Sequence, residues 1–248
     1  MPPELRVFAL EGIPELEPGD DLAALVAAAA ARAGGLRDAD VVVVAQKAVS
    51  KVEGRVVHLD DVEATARAVE LAGPERDPRH VQVILDESAE VVRTRPPLVI
   101  AETRHGFVCA SAGVDASNAK GPGTLVLLPL DPDASARRLR DGLRALTGRD
   151  VGVIVSDSFG RAWRQGTTDV ALGVAGIEAL RDLNGTRDAA GYTLHATQIA
   201  VADELAGAAE LVLGKANATP VAVVRGLDVR GGGSGRDLVM PPERDLFR

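Results

Sequence analysis

Three short runs of β-branched and aliphatic residues constrain the fold of this chain more than any other feature. They cover residues 41–44, 151–156 and 221–224, and each is flanked by polar residues or turns. A strand with one solvated face alternates apolar and polar residues, whereas continuous apolar runs of this length are typical of strands covered on both faces. The pattern therefore predicts a buried sheet with helices packed on both sides.

Helical patterns interleave with these runs. Asp20 or Asp21 is suited to cap a helix that ends before Gly34 and Gly35, because a side-chain acceptor serves the first free N–H groups. The apolar spacing predicts helices over 22–32, 62–71, 78–85, 131–146 and 197–213, a hairpin over 98–110 and a strand over 124–129. Since no regular βαβ period appears, we expect an α+β fold with mixed sheets and not a doubly wound sheet. The Gly-rich segment 231–235 predicts a mobile loop.

Composition limits the classes of function. The 248 residues carry 28 Lys and Arg against 36 Asp and Glu, whereas a nucleic-acid binder normally has a basic surface. The N-terminus lacks a signal-peptide pattern, no apolar run is long enough to span a bilayer, and Cys109 is the only cysteine. We expect a cytoplasmic protein without nucleic-acid or membrane partners. A phosphorylated small molecule remains a suitable ligand, because a few local cations suffice.

Two polar segments stand where loops are expected to leave strands. The first, 112–118, contains Asp115, and the second, 156–164, contains Asp157 together with Arg161 and Arg164. Magnesium commonly uses one or two carboxylates plus substrate phosphates, so two Asp on neighbouring loops suit it. The arginines offer fork-shaped donors for phosphate or carboxylate. The alternative is that both Asp stabilise turns and both Arg are solvated.

Two lysines follow the first valine run. Lys47 and Lys51 are placed to hold a nucleotide phosphate, or else they lie on a solvated turn; the sequence leaves both interpretations open. Neither a Walker-type phosphate loop nor a Gly-x-Gly-x-x-Gly fingerprint is present. Core or surface roles are expected for Cys109 and for the four histidines, which lack metal-ligand spacing: His58, His80, His105 and His195.

Together these segments resemble a known family, the coenzyme F-420-0:γ-glutamyl ligases, which are deazaflavin-cofactor enzymes of archaea and actinobacteria. The resemblance rests on residues 46–55, 112–118, 156–169, 200–206 and 220–226, which cover most of the chain in order. It implies GTP-dependent ligation of L-glutamate to F-420-0 and then addition of further γ-linked glutamates. It also implies Mg²⁺ or Mn²⁺, K⁺, and an intertwined α+β homodimer. Because a carboxylate does not condense with an amine at neutral pH, we expect activation by GTP as an acyl phosphate.

The resemblance also implies roles for individual residues. Asp115 and Asp157 would be catalytic and, with Ser158, would ligate metal. Nucleotide contacts would fall on residues near the N-terminus, on the lysine segment, on the Asp115 segment and on the loop after the last long helix: Ile13, Pro14, Glu15, Leu16, Gln46, Lys51, Asn118, Gly214, Lys215, Ala216 and Asn217.

The chain departs from the family pattern at two of these positions. Relatives commonly carry Ser at the position of Gln46, so the nucleotide contact there is either remade by the amide or lost. Some relatives use a Gln as a ligand of a second metal where this chain has Lys215, and a cation cannot ligate a metal. We expect one ligase domain over 1–248, with two intertwined subdomains as an option, and no nitroreductase-like domain of the kind that follows it in actinobacterial relatives.

Two other functions use the same residues. A metal-dependent nucleotide hydrolase or phosphatase would consume GTP without glutamate or a deazaflavin. A non-catalytic GTP-binding protein would hold the nucleotide without turnover.

Overall fold

The computed structural model describes residues 4–215 and 217–247, which form twelve strands and six α-helices. The strands are β1 (Arg6–Ala9), β2 (Val41–Ala45), β3 (Val56–His58), β4 (Ser88–Arg95), β5 (Leu98–Thr103), β6 (Val108–Ala110), β7 (Thr124–Val126), β8 (Gly152–Arg161), β9 (Arg164–Ala175), β10 (Arg181–Asp182), β11 (Gln198–Ile199) and β12 (Val221–Arg225). The helices are α1 (Leu22–Arg32), α2 (Gln46–Val52), α3 (Ala66–Ala72), α4 (Pro78–Glu87), α5 (Pro132–Thr147) and α6 (Val201–Leu213).

The main sheet has five strands in the order β1-β12-β2-β8-β9. Only β2 and β8 are parallel, with Val41 opposite Gly152 and Ala45 opposite Ser156. The other three pairs are antiparallel. This mixed sheet confirms the expected α+β class, and the three predicted valine-rich strands form its centre.

Helices cover both faces of this sheet, as the strand composition requires. On β8, Val153 and Val155 face a core built with α1, α2 and α5, whereas Ile154 faces a core built with α6. These three side chains have 0% exposure. Because side chains alternate across a strand, a continuous apolar run supplies both cores at once.

A second region lies between β3 and β7 in the chain. The strands β4, β5 and β6 form an antiparallel sheet, and β3 pairs with β7. Helix α4 packs beside them, with Ile84 buried against Val99 and Leu125 in a separate core. The predicted hairpin over 98–110 is confirmed as β5 and β6.

The prediction that residues 156–164 form a loop is wrong. Strand β8 continues through Asp157 to Arg161 and turns directly into β9, so that Asp157 pairs with Val170 inside a long hairpin. The polar residues suggest a loop because strands in a buried sheet are normally apolar. Here the backbone remains paired, and Ser156, Asp157 and Ser158 line a cavity beside it.

The prediction of a mobile Gly-rich loop over 231–235 is also wrong. A Cβ added to Gly233 would lie 2.4 Å from the Ala179 nitrogen, and one added to Gly235 would lie 2.1 Å from the Leu172 carbonyl oxygen. These glycines therefore permit close packing of backbone on backbone. Among the predicted helices, α1 has the bounds predicted, whereas α3 begins at Ala66 and α6 at Val201, each four residues later than predicted. No helix within 4–215 and 217–247 is long and apolar enough to cross a membrane.

Candidate functional site

A cavity of about 210 Å³ lies at the carboxyl ends of the parallel strands β2 and β8. Ala45 and Ser156, which are opposite each other at the end of this strand pair, both line it. At this point α2 leaves the sheet while β8 continues beyond the last parallel pair, which opens a crevice beside the strand. Helix α2, which starts at Gln46 immediately after β2, forms one wall.

The cations of α2 face this cavity. Lys47 and Lys51 line it, and this settles the choice that the sequence left open in favour of a position at the site. Lys51 pairs with Glu15, which comes from the loop between β1 and α1. That ion pair joins the 13–16 loop to α2, so the loop closes one side of the cavity.

Gln46 has a buried amide with only one of its groups in use. Its side-chain oxygen accepts a hydrogen bond from the Ser50 hydroxyl at 2.8 Å, one turn along α2. The Nε2 group is buried and has no partner in the described part of the chain. An unmade hydrogen bond of this kind costs about 1–3 kcal/mol, so the buried amide N–H is an unused donor beside the cavity.

The opposite wall carries oxygen donors on the β8–β9 hairpin. Ser156 and Ser158 donate hydrogen bonds to the two carboxylate oxygens of Asp169, at 2.9 Å and 2.6 Å. The Asp169 backbone N–H donates to Glu210 of α6 at 2.9 Å. Asp157, Ser158, Asp169 and Glu210 all line the cavity. A β-bulge lies between Val155 and Ser156, where the apolar half of β8 ends.

Burial sets the electrostatics of Asp157. The pKa of this carboxyl is raised to about 7, mainly by burial and in smaller part by the charges of Asp169 and Asp115, whereas Lys47 and the Ser158 backbone N–H oppose the shift. A carboxyl whose pKa is raised to about 7 lacks enough positive charge and hydrogen bonds around it to stabilise its ionised form. Such a group is a good candidate for a functional role, because a bound cation supplies the missing charge.

Asp115 has the opposite character. Lys47 Nζ lies 2.6 Å from its Oδ2, and the Ser117 backbone N–H donates to its Oδ1 at 2.7 Å. Burial raises the pKa of Asp115, but these hydrogen bonds outweigh burial, and the pKa lies below its usual range. Lys47 thus bridges the Asp115 segment to the cavity, although Asp115 itself is not among the residues that line it.

The structure brings most of the predicted nucleotide contacts together. Nine of them line the same cavity although they come from four separate parts of the chain: Ile13, Pro14, Glu15, Leu16, Gln46, Lys51, Asn118, Gly214 and Lys215. Asn217 is not among the lining residues; its side chain packs against Gly214. Ala216 lies outside the described residues.

Two carboxylates in the wall were missed as site residues. Asp169 stands within the motif segment 156–169, but nothing in its neighbours marks it, and it becomes informative only when the hairpin sets it opposite Ser158. Glu210 reads from the sequence as one more charge on an amphipathic helix. Arg161 and Arg164 lie at the exposed hairpin tip and not in the cavity wall.

No three His, Cys, Asp or Glu side chains of residues 4–215 and 217–247 form a ready-made metal centre. The cavity does supply hard oxygen donors from Asp157 and Ser158. The Cys109 thiol is buried, and burial, with the Asp157 charge, raises its pKa to about 12, so it is not a thiolate nucleophile at neutral pH.

Comparisons with known proteins agree with this arrangement. The chain matches the model of the F420-0:gamma-glutamyl ligase family over residues 12–226. It is 46% identical to the coenzyme F420:L-glutamate ligase of Methanocaldococcus jannaschii, over 86% of each chain. It is 45% identical to that of Methanopyrus kandleri, over 99% of this chain and 98% of the relative. The corresponding enzyme of Methanothermobacter thermautotrophicus is 41% identical, over 98% and 99%.

The chain therefore belongs to the F420-0:γ-glutamyl ligase family. This membership confirms the resemblance that the motif segments indicated.

Proposed function

We propose that this protein is a ligase of coenzyme F-420 biosynthesis that joins L-glutamate to F-420-0 at the expense of GTP and then adds further γ-linked glutamates. The observation that carries the proposal is the convergence of nine family-implied nucleotide contacts on one cavity beside Asp157 and Ser158. The relatives named as coenzyme F420:L-glutamate ligases span nearly the whole chain.

The proposed chemistry follows from the substrates. A carboxylate does not condense with an amine at neutral pH, so the acceptor carboxylate first attacks the γ-phosphorus of GTP and GDP leaves. The amine of glutamate then attacks the carbonyl carbon of this acyl phosphate, and inorganic phosphate departs with the electron pair of the C–O bond. Phosphoryl transfer needs mainly positioning and charge stabilisation, which the cavity residues are placed to give.

In this proposal Lys51 and Lys47 bind phosphate oxygens. Lys51 must leave Glu15, and Lys47 already links the cavity to Asp115. Gln46 donates its free N–H group to the nucleotide, which remakes with an amide the contact that relatives make with Ser. Lys215 adds a cation at the rim. We also propose that residues 1–248 form one ligase domain.

The donor set fits Mg²⁺ or Mn²⁺. Asp157 and Ser158 offer a carboxylate and a hydroxyl to the cavity, and the raised pKa of Asp157 reflects burial without a sufficient cation. A cation that takes one or two protein oxygens and completes its shell with phosphates and water needs no ready-made cluster. Asp157 and Ser158 would hold the ion, together with Asp115, which must first leave Lys47. When bound, the ion would neutralise phosphate charge. Potassium is proposed from the family resemblance.

We also propose a homodimer with intertwined subunits. Strand β9 is an edge of the main sheet, and the hairpin tip carries Trp163 with 82% exposure. Unpaired edges and exposed aromatic rings are typical of surfaces that another chain covers. Size-exclusion chromatography with light scattering gives the molar mass of the assembly directly. The mass of a monomer at micromolar concentration would contradict the dimer.

The test of function is a reconstitution from purified components. The protein is incubated with F-420-0, GTP, L-glutamate and MnCl₂, each component is omitted in turn, and product mass is followed by chromatography with mass spectrometry. We expect increments of one glutamyl unit that require all four additions. Steady GTP hydrolysis without acceptor would favour the nucleotide hydrolase, and GTP binding without turnover would favour a binding protein.

A further inference from the structure

Arg76 is a half-buried cation without an acidic partner in the described part of the chain. Its guanidinium donates to the Pro97 carbonyl oxygen at 3.2 Å and to the Ser111 hydroxyl at 3.3 Å, both of them neutral acceptors. Burial lowers the pKa of Arg76. A guanidinium that is withdrawn from water normally has a carboxylate or phosphate partner, because desolvation of the charge is otherwise uncompensated.

The neighbouring arginine shows the normal arrangement. Arg79, three residues further along, pairs with Asp77 at 2.8 Å and with Asp60 at 3.1 Å. Arg55 and Arg140 likewise pair with carboxylates. In a chain with eight more acidic than basic residues, an unpaired and half-buried Arg is therefore not explained by a shortage of acids.

His80 adds a second unused polar group. It lies in the first turn of α4, four residues after Arg76, and its Nε2 atom is buried with no hydrogen-bond partner among the described residues. Burial, together with the charge of Arg76, lowers the pKa of His80, so the ring is neutral at pH 7. A guanidinium fork, a hydroxyl and an imidazole nitrogen are thus grouped, and within the described residues none of them hydrogen-bonds a carboxylate, although the charges of Asp115 and Asp77 also act on His80.

The turn that holds Ser111 connects this group to the candidate site. Ser111, Ala112 and Gly113 have successive φ values of 56°, 50° and 72°, an unusual left-handed run for two residues with a Cβ. The turn is closed by Val114 N–H donating to the Ser111 carbonyl oxygen at 2.8 Å, and Asp115 follows directly. Such conformations persist where the surroundings enforce them, often at functional sites.

We propose that Arg76, Ser111 and His80 form a carboxylate-binding subsite for the acidic co-substrates, on the Asp115 side of the site. The inference rests on the proposed function, in which both the incoming glutamate and the growing γ-glutamyl product are polycarboxylates. The cavity lysines are committed to phosphates in that reaction, so a carboxylate needs a separate cation. Arg76 supplies it through a two-pronged hydrogen bond, which Lys cannot reproduce.

The test compares R76M and R76K with R79M. The last variant is the matched control, because it removes an arginine three residues away that is paired with carboxylates. We expect R76M to raise KM for glutamate or for the γ-glutamylated acceptor by about 10- to 100-fold, with KM for GTP unchanged. R76K should recover only part of the loss, and R79M should leave all three KM values near those of the wild type. Separate titrations of the two acidic substrates show which of them the subsite holds.

Analogues of glutamate sharpen the result. Glutamine lacks the γ-carboxylate and isoglutamine lacks the α-carboxylate, so the analogue without the contacted group should bind R76M and wild type equally. Equal glutamate and acceptor KM values in R76M and wild type, or an equal rise in KM for GTP, would overturn the inference. Thermal unfolding of each variant shows that it folds.

Failure of the proposed function is a distinct outcome, because it appears as a wild-type protein that forms no glutamyl product. Equilibrium binding of L-glutamate and, separately, of a γ-glutamylated acceptor, each measured by calorimetry in the presence of GDP, then decides the inference without turnover. Tighter binding of either ligand by wild type than by R76M supports the subsite, and equal or absent binding of both overturns it.

Discussion

The two parts of β8 are both paired strand, but the first part is buried in the cores and the second lies beside the cavity. From Val153 to Val155 every side chain is fully buried in one of the two cores. Ser156, Asp157 and Ser158, by contrast, all line the cavity. A β-bulge in the partner strand β9 falls at the boundary between them, because Val155 is opposite Gly173 and Ser156 is opposite Ala171, which leaves Leu172 as the extra residue.

The difference teaches where this protein places stability and where it places chemistry. The apolar half gains free energy by burial, whereas the polar half sets Asp157 and Asp169 close together with few cations to balance them. The backbone pairing with β9 continues along both halves and holds the polar half in place. The buried apolar half supplies the stability that offsets the unfavourable burial of charge. Variants in the two halves should therefore separate activity from stability.

The largest effect is expected from Asp157→Asn. The amide keeps the shape of the side chain but removes the charge proposed to bind metal, so GTP-dependent turnover should fall by at least about a thousandfold. Circular dichroism and thermal unfolding should show an intact fold. A variant with near wild-type turnover would remove Asp157 from the proposed metal site.

The matched change in the apolar half is Ile154→Ala. Truncation of a fully buried Ile leaves a cavity, and the free energy of unfolding should fall by about 2–4 kcal/mol. At a temperature where the variant is folded, KM for GTP should equal that of the wild type. A large change in KM without loss of stability would show that the two halves are not separable.

The pH dependence of stability offers a smaller effect with a defined sign. In the metal-free fold the pKa of Asp157 is raised to about 7, so between about pH 4 and pH 7 the folded state binds more protons than the unfolded state. The contribution of this group to stability therefore falls as pH rises through that window. Asn has no such dependence.

Denaturant unfolding of wild type and Asp157→Asn in chelator measures this contribution. The two proteins should be about equally stable near pH 4, and the variant should be more stable by about 1–2 kcal/mol near pH 8, a value reduced from the full shift because the cavity admits water. A variant less stable than wild type at the higher pH would contradict the assigned burial cost.

The smallest effect is expected at the free amide of α2. Gln46→Met keeps the length and volume of the side chain but removes the donor, and KM for GTP should rise by about 5- to 10-fold. Ser50→Ala, which frees the amide to rotate, should raise it less. An unchanged KM for GTP in both variants would show that this contact is lost in the chain and not remade.

The sequence predicted the centre of the fold because the evidence for it is local. The runs 41–44 and 221–224 read directly as β2 and β12, and the apolar period of 22–32 reads as α1. It did not predict the outer half of β8 or the packed glycines at 231–235. Both depend on partners distant in the chain, Val170 for Asp157 and Ala179 for Gly233.

The candidate site divides in the same way. Asp157, Ser158 and the nucleotide contacts were named from motif resemblance, and the structure brings most of them to one cavity. The position of Lys47 beside the cavity is known only from the structure, since a lysine after a strand is equally consistent with a solvated turn. Glu210 and Arg76 carry no local signal, because their meaning depends on a hairpin and a left-handed turn elsewhere in the chain.

The most direct test of the central claim follows one oxygen atom. F-420-0 with its acceptor carboxylate labelled with oxygen-18 is incubated with the protein, GTP, L-glutamate and Mn²⁺, and the released phosphate is analysed by mass spectrometry. An acyl phosphate at the polar end of β8 predicts one labelled oxygen in each phosphate formed with a glutamyl product. Unlabelled phosphate would contradict the account. A parallel reaction in oxygen-18 water with unlabelled F-420-0 would then show direct hydrolysis of GTP if its phosphate carries the label.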